Sequence, residues 1–366
     1  MREHPHRTPV LAKQDVNTGR QFEADMAKFV CMIGMVIVHC FDVFVSFSET
    51  SSGVQYAFLF VLNSIFGAGT FMFCMGLGTA YSGSTPKALM KRGIRIFLIG
   101  YLLNLACALS YLILLRDVSL FVTYLIGPDI LQFAGLALLL FGFLQYVKCP
   151  DWGIGAIAVA LSLIATWIRT VTFDSSAANL ILGLFIGSFD YEWMTGGVFP
   201  LFNWFIFVAA GYLFAKYLLR KCTRKTAMYG LLSGVSAVLL AVYLGIAIPN
   251  GSGMMGSILR FHHLGILDAV VCIAGTLFAL GVYHMLFGRL PGSIRSGVTR
   301  VSKDILPIYC IQWVILAWSV SVWVLCGEPV LPDGVIILIG IAIFVLSAAA
   351  ARAFSRRRSR IAKANQ

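Results

Sequence analysis

Residues 26–46 read MAKFVCMIGMVIVHCFDVFVS, an apolar run that is interrupted by Lys28, His39 and Asp42. At about 1.5 Å per residue, a helix of this length crosses the roughly 30 Å hydrocarbon core of a bilayer. An ionisable side chain at the depth of His39 is costly in lipid, so we expect the imidazole to face a protein interior or a wet cavity. Because a helix turns by about 100° per residue, Asp25, Lys28 and Asp42 fall within about 60° of His39 around the axis. The first apolar segment therefore carries one polar stripe.

Apolar runs of this kind recur along the whole chain of 366 residues, of which 59% are hydrophobic and only 12% are charged. A soluble protein carries about twice that charged fraction, so the composition predicts an all-α, polytopic transmembrane helix bundle. We expect a single integral membrane domain over 1–366, with a polar cytoplasmic N-terminus at 1–24 and a basic cytoplasmic tail at 353–366. The apolar stretch 178–187 is too short to span and is predicted to be re-entrant or interfacial. Ten segments are predicted to span the membrane: 26–46, 55–80, 94–115, 119–147, 152–170, 197–219, 226–247, 262–288, 304–326 and 331–352.

The basic residues sort to one side of this predicted bundle. When the connections are numbered alternately inside and outside, only Arg116, Arg169 and Arg260 of the 28 Lys and Arg residues fall outside. By the positive-inside rule, both termini are predicted to be cytoplasmic. The rule also accounts for the net charge of +12, so we expect contact with anionic membrane lipid and no nucleic acid partner. The nine cysteines show no metal-ligand spacing, so no metal is expected.

His39 and Asp42 are the candidate catalytic pair. They lie three residues apart, so their side chains can touch on one helix face. A carboxylate beside an imidazole can fix its tautomer and stabilise its charged form, as a general base requires. The alternative is a buried histidine that bonds to a backbone carbonyl of a neighbouring helix.

A second group of polar residues is assigned to substrate binding. Most of its members lie in the predicted outer half of the bundle, where an acid inside an apolar run is costly unless it has a role. Asp129 follows Gly127-Pro128, a predicted helix break, and serves equally well as a helix N-cap. The adjacent histidines are alternatively interfacial residues wetted by the outer surface. The group consists of Asp25, Asp129, Gln132, His262, His263 and Asp268.

Basic residues gather at the predicted inner mouth. Arg92 and Arg95 are three residues apart at the start of the third apolar segment, so they share a helix face. Arginine can hold a phosphate group through two parallel hydrogen bonds. Together with Lys28, these residues are candidates for binding an anionic ligand. Ordinary positive-inside charge is the alternative interpretation.

Several stretches of the chain match known motifs in order. Asp25-Met-Ala-Lys28, followed after ten residues by His39, is similar to an Asp-x-x-Arg-x10-His signature. The later stretches are Phe71-Met-Phe-Cys-Met-Gly-Leu-Gly78, Lys91-Arg-Gly-Ile-Arg95, Asp129-Ile-Leu-Gln132-Phe-Ala-Gly135, Phe199-Pro-Leu-Phe-Asn-Trp204 with Gly211, and Ser302-Lys-Asp-Ile-Leu-Pro-Ile-Tyr309. Together they resemble the membrane acyltransferase-3 proteins and the wider superfamily that includes the heparan-alpha-glucosaminide N-acetyltransferase-like proteins.

The resemblance implies transfer of an acyl group, usually acetyl, from cytoplasmic acyl-CoA to a hydroxyl or amine of a carbohydrate at the outer face. It assigns the catalytic histidine to His39. The arginine of the family signature is Lys28 here, and Gln312 stands where many members have a histidine after the late tyrosine. We therefore expect an acyltransferase of the cell envelope in a bacterial cytoplasmic membrane, with acetyl-CoA as the donor substrate and an extracytoplasmic glycan as the acceptor.

Two other functions fit the same residues. Histidine and aspartate inside a membrane also form proton relays, and a broken helix near Pro128 is typical of transport sites, so a proton-coupled transporter is the main alternative. A non-catalytic scaffold is a third, but it leaves the polar stripe of the first segment without a role. Labelled acetyl-CoA separates these possibilities, since only the transferase binds it specifically.

Overall fold

The computed structural model describes residues 11–44, 67–168, 174–186, 189–190, 195–196, 198–250, 263–287 and 289–364. These residues are mostly helical, and the two short strands β1 and β2 pair antiparallel. In chain order the elements are α1 Phe22–Phe44, α2 Ala68–Ser82, α3 Pro86–Ser110, α4 Val118–Ile126, α5 Ile130–Tyr146, α6 Asp151–Ile168, α7 Ser176–Ile186, β1 Phe189–Asp190, β2 Thr195–Gly196, α8 Leu201–Leu213, α9 Lys225–Asn250, α10 Ile266–Phe287, α11 Gly292–Lys303, α12 Ile305–Leu325 and α13 Asp333–Ala364. Helices α3 and α8 continue into π-helical turns at Tyr111–Leu115 and Phe214–Leu219.

The prediction of an all-α membrane bundle is confirmed. Within the described ranges, nine helical stretches are long and apolar enough to cross a membrane, and each coincides with a predicted segment. The remaining predicted segment, 55–80, is described only from residue 67 onward, where it forms α2. The short apolar stretch near 178–187 forms α7, a helix of 11 residues.

The last span and the basic stretch that follows it form one helix. The tail was predicted as 353–366, and α13 runs on from Asp333 to Ala364 without a break. Arginine, lysine and alanine are all good helix formers, so nothing in this stretch stops the helix. The basic turns of this long helix begin at Arg352, beyond its apolar part.

The predicted break at Pro128 is confirmed. Helix α4 ends at Ile126, and α5 begins at Ile130 with Asp129 as its N-cap. Proline has no N–H to continue the hydrogen-bond ladder, and the residue before it avoids the helical region. Asp129 and Gln132 then form a capping box, in which each side chain bonds to the backbone of the other residue.

Helix α1 lies at the centre of one half of the bundle. It contacts α2, α10, α11, α12 and α13. Close backbone packing holds α2 against α8, since a Cβ atom added at Gly76 would lie 2.0 Å from the carbonyl oxygen of Val208. One added at Gly211 would lie 2.0 Å from the carbonyl oxygen of Phe73. Small residues at such crossings allow the dispersion contacts that stabilise helix pairs in lipid.

The two ends of the bundle have different compositions. At one end, the starts of α1 and α9 meet the end of α10, and Ser355 of α13 bonds to Asp304 at 2.8 Å. Most of the described basic residues lie here, and we call it the basic end. At the other end, which we call the opposite end, Phe44 packs edge-on against Trp323 at 5.6 Å between ring centroids. The described residues of both chain termini lie at the basic end.

Candidate active site

His39 lies towards the opposite end of α1, against α12. Its ring is half-buried and lies 4.2 Å from the ring of Trp313, with the two planes tilted by 35°. The amide of Gln312 lies within reach of the same imidazole. The Nδ1 atom of His39 is buried but completes no hydrogen bond with any described residue. The prediction that this imidazole faces protein is therefore confirmed.

Several buried polar atoms near His39 lack a hydrogen-bond partner among the described residues. Gln312 is fully buried, yet neither its Nε2 nor its Oε1 completes a hydrogen bond among the described residues. In the same part of the chain, the indole Nε1 of Trp313 and, on α5, the Nε2 of Gln132 are also buried without one. Each unpaired buried polar group costs about 1–3 kcal/mol, so folded proteins rarely leave several of them together without a ligand or water. Such a cluster is typical of a site whose partner is a bound molecule.

Two motifs from distant parts of the chain meet beside this cluster. Tyr309, one helical turn before Trp313, donates a hydrogen bond of 3.2 Å to the carboxylate of Asp129. The backbone N–H of Asp129 donates to Oε1 of Gln132 at 3.1 Å, and Gln132 is fully buried. A continuous set of contacts thus joins His39 of α1 to Asp129 and Gln132 of α5 through α12. We call these residues the His39 cluster: His39, Gln312, Trp313, Tyr309, Asp129 and Gln132.

Asp42, the predicted partner of His39, makes no hydrogen bond to the described residues of this cluster. It lies one turn beyond His39 and is partly buried, but no hydrogen bond joins the two side chains in the described part of the structure. The side chains that approach the imidazole belong to α12 instead. The spacing of His39 and Asp42 places both residues on the same face of one helix. It does not determine whether their side chains contact each other or a neighbouring helix.

At the basic end of α1, Asp25 is almost fully buried and is well satisfied. The guanidinium of Arg20 binds its carboxylate with Nε at 2.5 Å and Nη2 at 2.9 Å. The hydroxyl of Ser302, from the last turn of α11, donates to the same carboxylate at 2.7 Å. Asp25 therefore joins the start of α1 to α11, and its charge is balanced within the protein.

Two cavities flank this ion pair. The smaller, of about 280 Å³, is lined by Arg20, Gln21, Asp25, Lys28 and Tyr81 among others. The larger, of about 590 Å³, is lined by Phe22, Arg20 and Asp25, and by the α11 residues Gly292, Arg295, Ser296, Thr299 and Arg300. The larger volume falls in the range of small-molecule sites. Besides the Arg20–Asp25 pair, this cavity offers two arginines and two hydroxyl groups, which suit a ligand that carries phosphate groups.

None of the other described site candidates lines either cavity. Arg92 and Arg95 are exposed on α3 and line neither of the two cavities. Asp268 is buried and accepts hydrogen bonds from the hydroxyl of Tyr243 at 2.5 Å and from the backbone of Gly265 at 3.2 Å. His263 is buried just before α10, whereas His262 lies outside the described residues.

Sequence reasoning missed the cations of the larger cavity. Arg295 and Arg300 belong to α11, which places basic and small polar residues on one side of a short helix. Their only sequence signal was the amphipathic pattern of this connecting segment, which positive-inside charge also explains. Within the described ranges, no three His, Cys, Asp or Glu side chains lie close enough to hold a metal ion.

Comparison with known proteins identifies the family. Residues 20–248, which include α1 with His39 and α5 with Asp129, match the family described as heparan-alpha-glucosaminide N-acetyltransferase, catalytic. No curated protein and no solved structure matches the chain. The match covers well over half of the sequence and contains both partners of the α1–α5 arrangement, so the chain belongs to the heparan-alpha-glucosaminide N-acetyltransferase catalytic family.

Proposed function

We propose that the protein transfers an acyl group, most simply acetyl, from acyl-CoA bound at the basic end to a carbohydrate hydroxyl or amine at the opposite end. The family, and the nine apolar helices found within the described part of the chain, indicate a membrane acetyltransferase-like function. The donor, the acceptor and the sidedness belong to the proposal. The observation that carries it is the His39 cluster, in which an imidazole inside a membrane helix and the amide of Gln312 bury polar atoms that have no hydrogen-bond partner among the described residues.

The charge distribution supports the direction of transfer. The basic end corresponds to the cytoplasm by the positive-inside rule, and acyl-CoA is a cytoplasmic metabolite. The opposite end then faces outward, where an envelope glycan is available. Lys28 and His39 are eleven residues apart, or about 16 Å along α1 at 1.5 Å per residue. The slender thioester arm of the donor would follow α1 over this distance.

The basic end supplies groups for the donor. In this proposal Arg295 and Arg300 bind the phosphates, because they line the larger cavity, whereas Arg92 and Arg95 lie exposed elsewhere. Lys28, on the smaller cavity, supplies a further positive charge along the path of the thioester arm. Lysine replaces the arginine of the family signature here, so this contact is a point charge and not a bidentate fork.

His39 performs the chemistry in this scheme. Neutral imidazole either removes the proton from the acceptor hydroxyl as it attacks the thioester, or attacks the thioester itself and forms an acyl-imidazole. The Trp313 ring holds one face of the imidazole, and Gln312 offers an amide to orient it or to bind the acceptor. Asp129, Gln132 and Tyr309 would bind acceptor hydroxyl groups, since sugars are recognised by just such carboxylates, amides and hydroxyls.

The test is acyl transfer by the purified full-length protein in lipid nanodiscs. We expect specific binding of radiolabelled acetyl-CoA, release of CoA thiol when a mixture of amino sugars and glycans is added, and an acylated sugar in the product fraction. His39→Ala should abolish transfer while donor binding persists. Arg352→Gln, on an exposed position of α13, is the matched control.

The transporter alternative predicts the opposite pattern. A transporter would not bind acetyl-CoA specifically, would release no CoA thiol, and would move a solute across a sealed vesicle in response to a pH gradient. Full transfer activity in folded His39→Ala would also overturn the proposal, because no other described histidine lies in this cluster.

A further inference from the structure

A second histidine, His284, lies at the basic end, separate from the His39 cluster, and its ring is in hydrogen-bond contact with two other side chains. His284, near the end of α10, places Nδ1 2.6 Å from Oε1 of Glu23 at the start of α1. Its Nε2 lies 3.2 Å from the hydroxyl of Thr226 in the first turn of α9. An Nδ1–H that donates to the carboxylate leaves Nε2 free to accept the threonine proton. This order of carboxylate, imidazole and hydroxyl is the arrangement that activates a hydroxyl nucleophile, and it is recognised by geometry whatever the chain order.

Each of these three residues lies where that role requires. The Glu23 side chain is only 6% exposed, so its charge acts on the imidazole with little competition from water. Lys225 lies 3.8 Å from the same carboxylate and partly balances its charge. Tyr229 covers the imidazole, with the ring centroids 4.9 Å apart, and holds its orientation. Thr226, in contrast, is exposed and accessible to a substrate.

The surroundings of Thr226 favour an anionic intermediate. It lies in the first turn of α9, where the helix dipole and the first backbone N–H groups stabilise negative charge. Such groups can stabilise the oxyanion that forms when a hydroxyl attacks an acyl group. These three residues also lie beside the smaller cavity. Gln21 lines that cavity and accepts a hydrogen bond from Lys225, the residue before Thr226. Gln21 therefore connects that cavity to the residue next to Thr226.

We propose that Glu23, His284 and Thr226 form a second acyl-accepting site, at which the Thr226 hydroxyl is acylated by an acyl thioester. The hydroxyl oxygen attacks the thioester carbonyl and forms the ester C–O bond while the C–S bond breaks. The threonine proton passes to Nε2 of His284 and then to the departing thiolate, so the products are acyl-threonine and a free thiol. The inference rests on the proposed function only for the identity of the thioester, acyl-CoA.

The experiment incubates the full-length protein with radiolabelled acetyl-CoA and locates the label by peptide mass spectrometry. We expect a label on Thr226 that survives mild acid, as an ester does and an acyl-imidazole does not. Thr226→Val, which keeps the shape and removes the hydroxyl, should lower this label at least tenfold, and Thr226→Ser should retain it. His284→Asn and Glu23→Gln should slow its formation.

The His39→Ala protein separates this inference from the proposed function. Labelled Thr226 in that variant, together with lost transfer to glycans, supports both. Transfer to glycans by the wild-type protein with unlabelled Thr226 overturns this inference alone. Labelled Thr226 without any transfer by the wild-type protein overturns the proposed function alone. If Thr226→Val lowers the melting temperature and the wild-type protein takes no label, the three residues are only a tether between helices, and the inference is wrong.

Discussion

The polar side chains at the two ends of α1 differ in their hydrogen bonding. At the basic end, Asp25 is bound by Arg20 and by Ser302, so its buried carboxylate is fully engaged. At the other end, His39 and Gln312 bury polar atoms that complete no hydrogen bond among the described residues. The same helix therefore carries one network that is complete in itself and one that is incomplete.

The difference follows from what each network has to do. A complete network stabilises the contact between helices and fixes how α1 enters the bundle, because each bond is made on folding. An incomplete network destabilises the folded protein by the desolvation of its unpaired groups, and a ligand recovers that free energy when it binds. We therefore expect substitutions at the two ends to separate stability from activity.

The largest expected effect is the loss of transfer in His39→Gln. A positioned general base contributes about 10²- to 10⁴-fold to a rate, and glutamine cannot take a proton. The expected result is a fall of that size in kcat, with a melting temperature close to that of the wild-type protein, because glutamine fills a similar volume. Initial rates of CoA release measure the first quantity, and thermal unfolding in detergent measures the second. A fall in stability with unchanged kcat would make His39 a structural residue.

A smaller effect is expected for Arg295→Gln in the larger cavity. Loss of one charge-assisted hydrogen bond to a phosphate at a partly exposed site should raise the KM for acetyl-CoA by about three- to tenfold, with kcat little changed. Steady-state kinetics at two salt concentrations checks this, since screening weakens such contacts. Arg352→Gln is again the control. A larger rise for Arg92→Gln would place the phosphates on α3 and contradict the cavity assignment.

The sequence predicted the features of α1 and α5 that depend on a single segment of the chain. The apolar run with His39 predicted a spanning helix, and Gly127-Pro128 predicted the break that makes Asp129 an N-cap. It did not predict the neighbours of His39. Helical periodicity gives an angle around one axis, whereas Gln312 and Trp313 lie more than 270 positions further along the chain and meet His39 only through packing. Spacing therefore favoured Asp42 as the partner.

The same limit explains the assignment of the donor cations. Arg92 and Arg95 showed the spacing of a binding pair, and Arg295 and Arg300 showed the pattern of an amphipathic connection. Both patterns are equally typical of loop charge at a membrane surface. Only the contact between α11 and the start of α1 distinguishes them, because it forms the cavity that Arg295 and Arg300 line.

Ser302→Ala should have a modest effect on stability. The substitution removes one hydrogen bond to the buried carboxylate of Asp25, which leaves Arg20 as its remaining partner. We expect a loss of about 1 kcal/mol in the free energy of unfolding. Ser293→Ala, at an exposed position on the same helix, should cause almost none. Equal melting temperatures for the two variants would show that the network around Asp25 does not stabilise the bundle.

The smallest effect on stability, and the most informative, is expected for Gln312→Met. Methionine matches the length of glutamine but removes two buried polar atoms that have no partner, so stability should change by less than about 0.5 kcal/mol or rise slightly. Gln132→Met is the matched contrast, because the Oε1 of Gln132 accepts a bond from the backbone of Asp129, and its loss should cost about 1 kcal/mol. Thermal unfolding of both variants in the same detergent gives the comparison. A Gln312→Met protein as unstable as Gln132→Met would mean that the amide of Gln312 is already bound in the resting protein. The His39 cluster would then be a second complete network, and the contrast between the two ends of α1 would disappear.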